Sequence, residues 1–154
     1  LDVFQQSQVI AIYFATPDEV QTDEIIKAIH APQKHACLPV IDPDNPGNMQ
    51  FHTYDATNRL KPNRHKILEP IGTECVPLDQ IDLILLPLVA FDQAKQRIGM
   101  GLGFYDRILG DQSIKARSCG LAFDCQEVAC IPADRWDQAL DMILTPSRVI
   151  SDLN

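Results

Sequence analysis

The longest uninterrupted apolar run in the chain, residues 83–91, carries Pro87 at its middle and is flanked upstream by Asp82. It falls far short of the roughly 20 residues that a membrane-spanning helix requires. It is also too continuous for a strand with one wet face, which alternates apolar and polar side chains. A second run, Val9-Ile10-Ala11-Ile12-Tyr13-Phe14, has the same character and is rich in β-branched residues. Both read as strands buried on two faces, the pattern of a largely parallel sheet with cover on both sides. At 154 residues the chain suits one domain.

Proline and glycine mark the joints between elements. Strands are predicted over residues 9–14, 36–41, 81–89 and 118–123, with short closing strands over 142–145 and 148–150. Residues 49–54 alternate apolar and polar and read as a half-buried strand. Ile25, Ile26 and Ile29 form one helical face that runs to His30. Two starts suit that helix: Thr16-Pro17-Asp18-Glu19, which resembles a capping box, and Thr22-Asp23-Glu24. Residues 59–77 and 91–103 read as loops, residues 104–109 as a helix stopping at Gly110, and residues 133–140 as a short helical turn. Strands separated by helices define an α/β fold, a single Rossmann-like three-layer domain over 1–154 with a mostly parallel sheet flanked by helices.

Charge narrows the function. The net charge is −8, which argues against a protein whose task is to grip a nucleic-acid backbone. The bases cluster between Arg59 and Arg117, so a small anion would bind there. The cysteines Cys37, Cys75, Cys119, Cys125 and Cys130 are odd in number and form no Cys-x-x-Cys pair, which points to reduced thiols in a cytoplasmic protein. Cys37 and Cys119 lie in apolar runs and read as core residues.

The chemistry-bearing stretch follows the strongest strand. In Arg97-Ile98-Gly99-Met100-Gly101-Leu102-Gly103-Phe104-Tyr105-Asp106-Arg107, glycines alternate just ahead of the predicted helix. Glycine accepts positive φ and lets backbone N–H groups approach a ligand. The first turn of a helix leaves N–H donors unpaired. Together they suit a phosphate cradle, with Arg97 forking onto a phosphate and Asp106 offering a hard oxygen to Mg²⁺. The same glycines also suit a plain tight turn, the spacing matches neither the Walker A nor the dinucleotide pattern, and Asp106 also suits a helix-start acid.

Ala90-Phe91-Asp92, followed after four residues by the Arg97–Arg107 stretch, resembles the signature of the 5-formyltetrahydrofolate cyclo-ligases. Further pieces follow the same order: Asp18-Glu19-Val20-Gln21-Thr22, Leu38-Pro39, Glu69-Pro70, Gly120 with Phe123-Asp124-Cys125-Gln126, Ile131-Pro132, and Asp137 with Asp141. The resemblance runs from Val9 to Thr145. It implies ATP- and Mg²⁺-dependent closure of 5-formyltetrahydrofolate to 5,10-methenyltetrahydrofolate, with release of ADP and phosphate. The formyl oxygen attacks the γ-phosphate, and N10 then closes the ring as phosphate leaves. The resemblance further implies that ATP is held by Arg97, Ile98, Gly99, Met100, Gly101, Leu102, Gly103, Phe104 and Tyr105. Arg97 and Tyr105 are the implied catalytic residues. Phe14, Glu19 and Tyr105 would meet the folate, and Asp106 and Asp137 would hold Mg²⁺. The implied partner is the small-molecule substrate, with no nucleic acid and no membrane, and the protein is expected to be a monomer.

Each assignment has a plainer counterpart. Glu19 also suits a helix cap, Phe14 a core position, Tyr105 ordinary helix packing and Asp137 a surface acid. Trp136, standing where the family often has His, suits stacking on a ligand or, as the plainer counterpart, half-buried packing. The bases of Arg59-Leu60-Lys61-Pro62-Asn63-Arg64-His65-Lys66 suit either a screen for anionic glutamate tails or a solvated loop. Three residues depart from the family pattern: Lys95 and Leu102 at positions where Gly is common, and Phe104 in place of Tyr. Leu102 fits only if its φ is negative. The family's basic N-terminal helix is expected to be missing from this chain. A non-catalytic nucleotide- or phosphate-binding domain on the same fold is the alternative reading.

Overall fold

The computed structural model describes residues 1–152. In chain order the regular elements are α1 (Asp2–Gln6), β1 (Val9–Ala11), α2 (Asp23–His30), β2 (His35–Ile41), β3 (Met49–Tyr54), β4 (Leu60–Pro62), β5 (Leu68–Pro70), β6 (Cys75–Val76), β7 (Leu83–Pro87), β8 (Ala90–Phe91), β9 (Arg97–Ile98), α3 (Phe104–Leu109), β10 (Arg117–Leu121), β11 (Met142–Leu144) and β12 (Val149–Ser151). Eight strands make one sheet in the order β12-β11-β10-β7-β1-β2-β3-β6. The central strands β11, β10, β7, β1 and β2 run parallel. β12, β3 and β6 close the two edges antiparallel.

Alternation along the strands divides the core into two layers. Ile10, Ile12, Leu83, Leu85, Cys119 and Met142 face α1 and α2, where Ile26 and Ile29 are buried against them. Ala11, Cys37, Ile84, Leu86 and Ile143 face the other way, onto Phe51, Phe91, Leu140 and Ile108 of α3. The apolar runs therefore pack on both sides, each buried aliphatic side chain contributing about 1.5–3 kcal/mol. Gly120 of β10 is fixed by this packing: a Cβ there would sit 2.7 Å from both Leu140 Cδ1 and Leu88 Cδ2.

Several sequence expectations change. The helix starts at Asp23, after Thr22, whose buried hydroxyl donates to the Tyr13 carbonyl at 2.7 Å. Thr16–Glu19 is a turn, although Glu19 Oε2 accepts from Thr16 N at 2.7 Å as a capping box would require. The stretch 59–77 is not a loop throughout: β4 and β5 form a hairpin, and β6 joins the main sheet. Pro62 and Pro70 are tolerated because a two-stranded ribbon is all edge, where a missing N–H costs little. The 91–103 loop likewise contains the small β8–β9 hairpin. Residues 133–140 form no helix; Asp137 N donates to Asp134 O at 3.0 Å in a single turn.

The buried thiols of Cys37 and Cys119 are both pushed up to about 12, first by desolvation. The Tyr13 and Tyr105 phenols are raised by the same cause. Raised folded-state values give stability that is complete below the unfolded thiol value of 9.0 and is lost as pH climbs toward the folded one. Urea melts at about pH 8 and about pH 10 should therefore show a weaker fold at the higher pH. Thiol labelling of the native protein near neutrality should modify Cys75, Cys125 and Cys130, which are exposed, and spare Cys37 and Cys119. Equal labelling of all of them would contradict this burial.

Candidate active site

The strand order decides where a ligand goes. From β1 the chain moves outward to β2, whereas from β7 it moves in the opposite direction to β10 and β11. The connections leaving β1 and β7 therefore diverge and open a crevice at their C-terminal ends, the usual ligand position in such sheets. A cavity of about 1220 Å³ lies there, lined by Tyr13 and Phe14 beyond β1, Pro39 and Ile41 of β2, and Pro87 of β7. Single-ligand pockets span about 300–1,000 Å³, so this one has room for two. Its remaining walls are the glycine loop with the start of α3, the β4–β5 hairpin and residues 131–138. A smaller cleft of about 330 Å³ between α1, α2 and the sheet has almost wholly apolar walls.

Phe14, Glu19, Arg97, Ile98, Gly99, Met100, Gly101, Leu102, Gly103, Phe104, Tyr105, Asp106 and Asp137 all line the large cavity. Gly101 and Gly103 have φ of +83° and +68°, the left-handed region that favours glycine. A Cβ added at Gly99 or Gly101 would meet nothing within 4 Å, so the loop backbone faces open space. Leu102 is absent from the positive-φ residues, which explains how it replaces glycine. Lys95 shows the opposite solution: its φ is +61°, and its buried ammonium pairs with Asp152 at 2.8 Å.

Arg97 departs from its expected setting. It lies on β9 with its side chain 5% exposed, not free at a loop entrance. Nη1 donates to Gln138 O at 2.7 Å and Nη2 to Asp106 Oδ1 at 2.8 Å. Gln138 N also donates to Asp106 Oδ1, at 3.3 Å. This leaves the other Arg97 N–H groups and Asp106 Oδ2 without a protein hydrogen bond among the described residues, on a wall of the cavity. Asp137 Oδ2 accepts from Asp134 N at 2.7 Å and so shapes its own turn.

The folate-facing candidates share the β1 end. Burial raises the Tyr105 phenol, the charges of Tyr13 and Glu19 raise it further, and Arg97 opposes them. The Tyr13 hydroxyl donates to Val20 O at 3.0 Å, and Phe14 packs edge-on against Tyr54 at 5.3 Å. Both phenols therefore remain protonated hydrogen-bond donors at neutral pH. Arg107, from α3, donates to Leu102 O at 2.8 Å and to Gly47 O, tying the glycine loop to the 42–48 loop.

Of two further cavity residues, Glu69 had been given no site role from the sequence and Trp136 only the alternative of stacking on a ligand. Glu69 Oε1 accepts from Ile41 N at 2.8 Å and from Asn63 Nδ2 at 2.7 Å, which fixes its carboxylate on the cavity wall. Its only sequence signal was the Glu69-Pro70 match. Trp136, expected to be half-buried, is 61% exposed on the same cavity.

Fold and cavity together define a doubly wound α/β protein with a large crevice, walled by a glycine loop and a buried arginine paired with a partly exposed carboxylate. Residues 1–146 match the 5-formyltetrahydrofolate cyclo-ligase family, and the chain belongs to it. It is 39% identical over 143 residues to the 5-formyltetrahydrofolate cyclo-ligase of Escherichia coli, covering 91% of this chain and 79% of that one. The mouse protein of the same name is 29% identical over 151 residues, covering 92% and 74%. The solution structure of Aquifex aeolicus 5,10-methenyltetrahydrofolate synthetase superposes with a TM-score of 0.84 at 27% identity, covering 100% of this chain and 76% of that one. The Mycoplasma pneumoniae synthetase superposes with a TM-score of 0.70 at 27% identity, covering 90% and 73%.

Arg97→Ala should lower stability, since it strands the Gln138 carbonyl and takes from Asp106 its ion-pair partner. The expected loss is about 1–3 kcal/mol in chemical denaturation. Arg97→Lys should recover only part of it, because one ammonium does not reproduce a planar fork. An unchanged denaturation midpoint for Arg97→Ala would contradict the buried clasp.

Proposed function

We propose that this chain catalyses the closure of 5-formyltetrahydrofolate to 5,10-methenyltetrahydrofolate, driven by MgATP hydrolysed to ADP and phosphate. One observation carries the reading: an open glycine loop above the Arg97–Asp106 pair shares its cavity with Phe14, Glu19 and Tyr105. The residues suit both ligands. The space over Gly99 and Gly101 admits phosphate oxygens to the loop backbone. No group of three or more His, Cys, Asp or Glu side chains poised for a metal occurs among the described residues. Mg²⁺ does not need one, since it commonly takes one or two carboxylates together with phosphate oxygens and waters. Asp106, through its open oxygen, and Asp137 are the carboxylates for it.

Bound MgATP would supply the phosphoryl group that turns the formyl oxygen into a leaving group. The protein's share is positioning and charge. Backbone N–H groups of residues 98–104 would bind the phosphates, with Ile98 and Phe104 bounding the loop. Arg97, anchored through two donors, would turn its remaining N–H groups toward the transferring group. The Tyr105 phenol, protonated at neutral pH as an ordinary phenol is, would donate a hydrogen bond at the formyl end. Glu19, steadied by Thr16 N, would accept from the pterin or formyl region, and Phe14 would wall the ring in. Closed walls would exclude water, which would otherwise intercept the activated formyl group.

The single sheet with its two core layers supports a single domain. Free cysteines support a cytoplasmic setting. No helix among the described residues is long and apolar enough to cross a membrane.

Mixing the protein with 5-formyltetrahydrofolate and MgATP should raise the methenyl absorbance, and no rise from a folded sample would refute the reading. Asp106→Asn should slow turnover by roughly 100-fold or more, as the loss of one electrostatic stabiliser does elsewhere. Its folate affinity, read by calorimetry, should barely change. Wild-type turnover at equal Mg²⁺ would remove Asp106 from the metal site.

A further inference from the structure

Part of the rim of the large cavity is apolar where a protein surface is normally polar. Ile98, Met100 and Leu102 of the glycine loop are 47%, 78% and 42% exposed, and Trp136 is 61% exposed. All four line the same cavity. Clustered exposed apolar side chains on a cavity mark a contact surface. We propose that Trp136, together with these loop side chains, forms a stacking subsite for the purine ring of the nucleotide. The inference rests on the reading that ATP occupies the glycine loop.

Chemistry sets the direction of the nucleotide. In-line transfer to the formyl oxygen requires the γ-phosphate to be the innermost part, beside buried Arg97 and Tyr105. The base is then outermost, at the rim. Trp136 immediately precedes Asp137 and Gln138, and Gln138 is bonded through its main chain to Arg97 and Asp106. The indole therefore lies on the segment that borders the phosphate end. Arg135 sits 5.8 Å from the indole centroid, adding positive charge beside the stack.

The pterin is a poorer occupant of this rim. Its ring edge carries several hydrogen-bond donors and acceptors, which need fixed polar partners. Those partners, Glu19, Asn63 and Glu69, belong to the end of β1 and the β4–β5 hairpin. A purine stacks on an indole without such readout.

Trp136 is the only tryptophan, so its fluorescence reports the subsite directly. Excited beyond the adenine absorption band, it should be quenched saturably by MgATP. Inorganic tripolyphosphate with Mg²⁺, which lacks the base, should bind without quenching. Trp136→Leu should weaken MgATP binding in calorimetry by roughly 5- to 150-fold, the range expected for loss of one stacked base, while its tripolyphosphate affinity stays unchanged. Trp136→Phe should restore most of the ATP affinity. MgATP binding with no fluorescence change, or equal MgATP affinity in Trp136→Leu, would overturn the stacking subsite alone. A loss of folate affinity with ATP affinity intact would assign the indole to the pterin instead and overturn it too. Failure of MgATP to bind the parent protein would bring down the glycine-loop reading, and the subsite with it.

Discussion

The β8–β9 hairpin holds the active-site wall in place, and most of the cavity depends on that grip. Residues 131–140 contain no helix or strand, so no ladder of their own keeps them in position. Three hydrogen bonds from one short hairpin do so. Buried Asp92 accepts from Ile131 N at 2.9 Å, Lys95 O accepts from Leu140 N at 3.0 Å, and Arg97 donates to Gln138 O at 2.7 Å. Asp92 also accepts from Gln96 N at 3.0 Å, closing the hairpin turn itself. Buried polar groups of this kind are costly unless fully satisfied, which makes the arrangement nearly all-or-none. The signature residues Asp92 and Arg97 thus serve the architecture of the site.

This arrangement would let an acidic protein offer a place for the polyanions of the proposed reaction. The net charge of −8 is spread over the chain, while the cavity relies on local groups. Arg97 is already paired with Asp106, so its charge is partly balanced before any ligand arrives. Backbone N–H groups of the glycine loop add attraction without adding net charge. The same pairing orients Asp106, leaving one oxygen bonded and the other open. Preorganisation of this kind would let the charges act without rearranging in the phosphoryl transfer proposed above.

The sheet contributes placement. Divergence of the chain between β1 and β7 opens the crevice, and the two apolar layers make that geometry rigid. Tyr13, Phe14 and Glu19 reach the cavity because they follow β1, whereas Arg97 and the glycines reach it through the hairpin that follows β7. The two walls of the cavity thus come from the two sides of one topological break.

Local patterning was enough to read the buried parallel strands, since continuous β-branched runs have few other homes. It also exposed the α3 helix from Phe104 to its stop at Gly110, and the glycine loop before it. These features depend on neighbours in sequence. The β4–β5 hairpin was missed because its prolines argue against strands, and only the absence of a second neighbouring strand makes them harmless. The environment of Arg97 was misread because burial arises from residues 9 and 41 positions away, Asp106 and Gln138. Glu69 and Trp136 had no local pattern to set them apart; one is anchored by Ile41 and Asn63, and the other is left uncovered at the cavity rim. Which elements form was therefore written in short-range periodicity and backbone preference. Which side chains meet, and which stay open to a ligand, was decided by the strand order, because long-range packing alone determines what each polar group has left to bond.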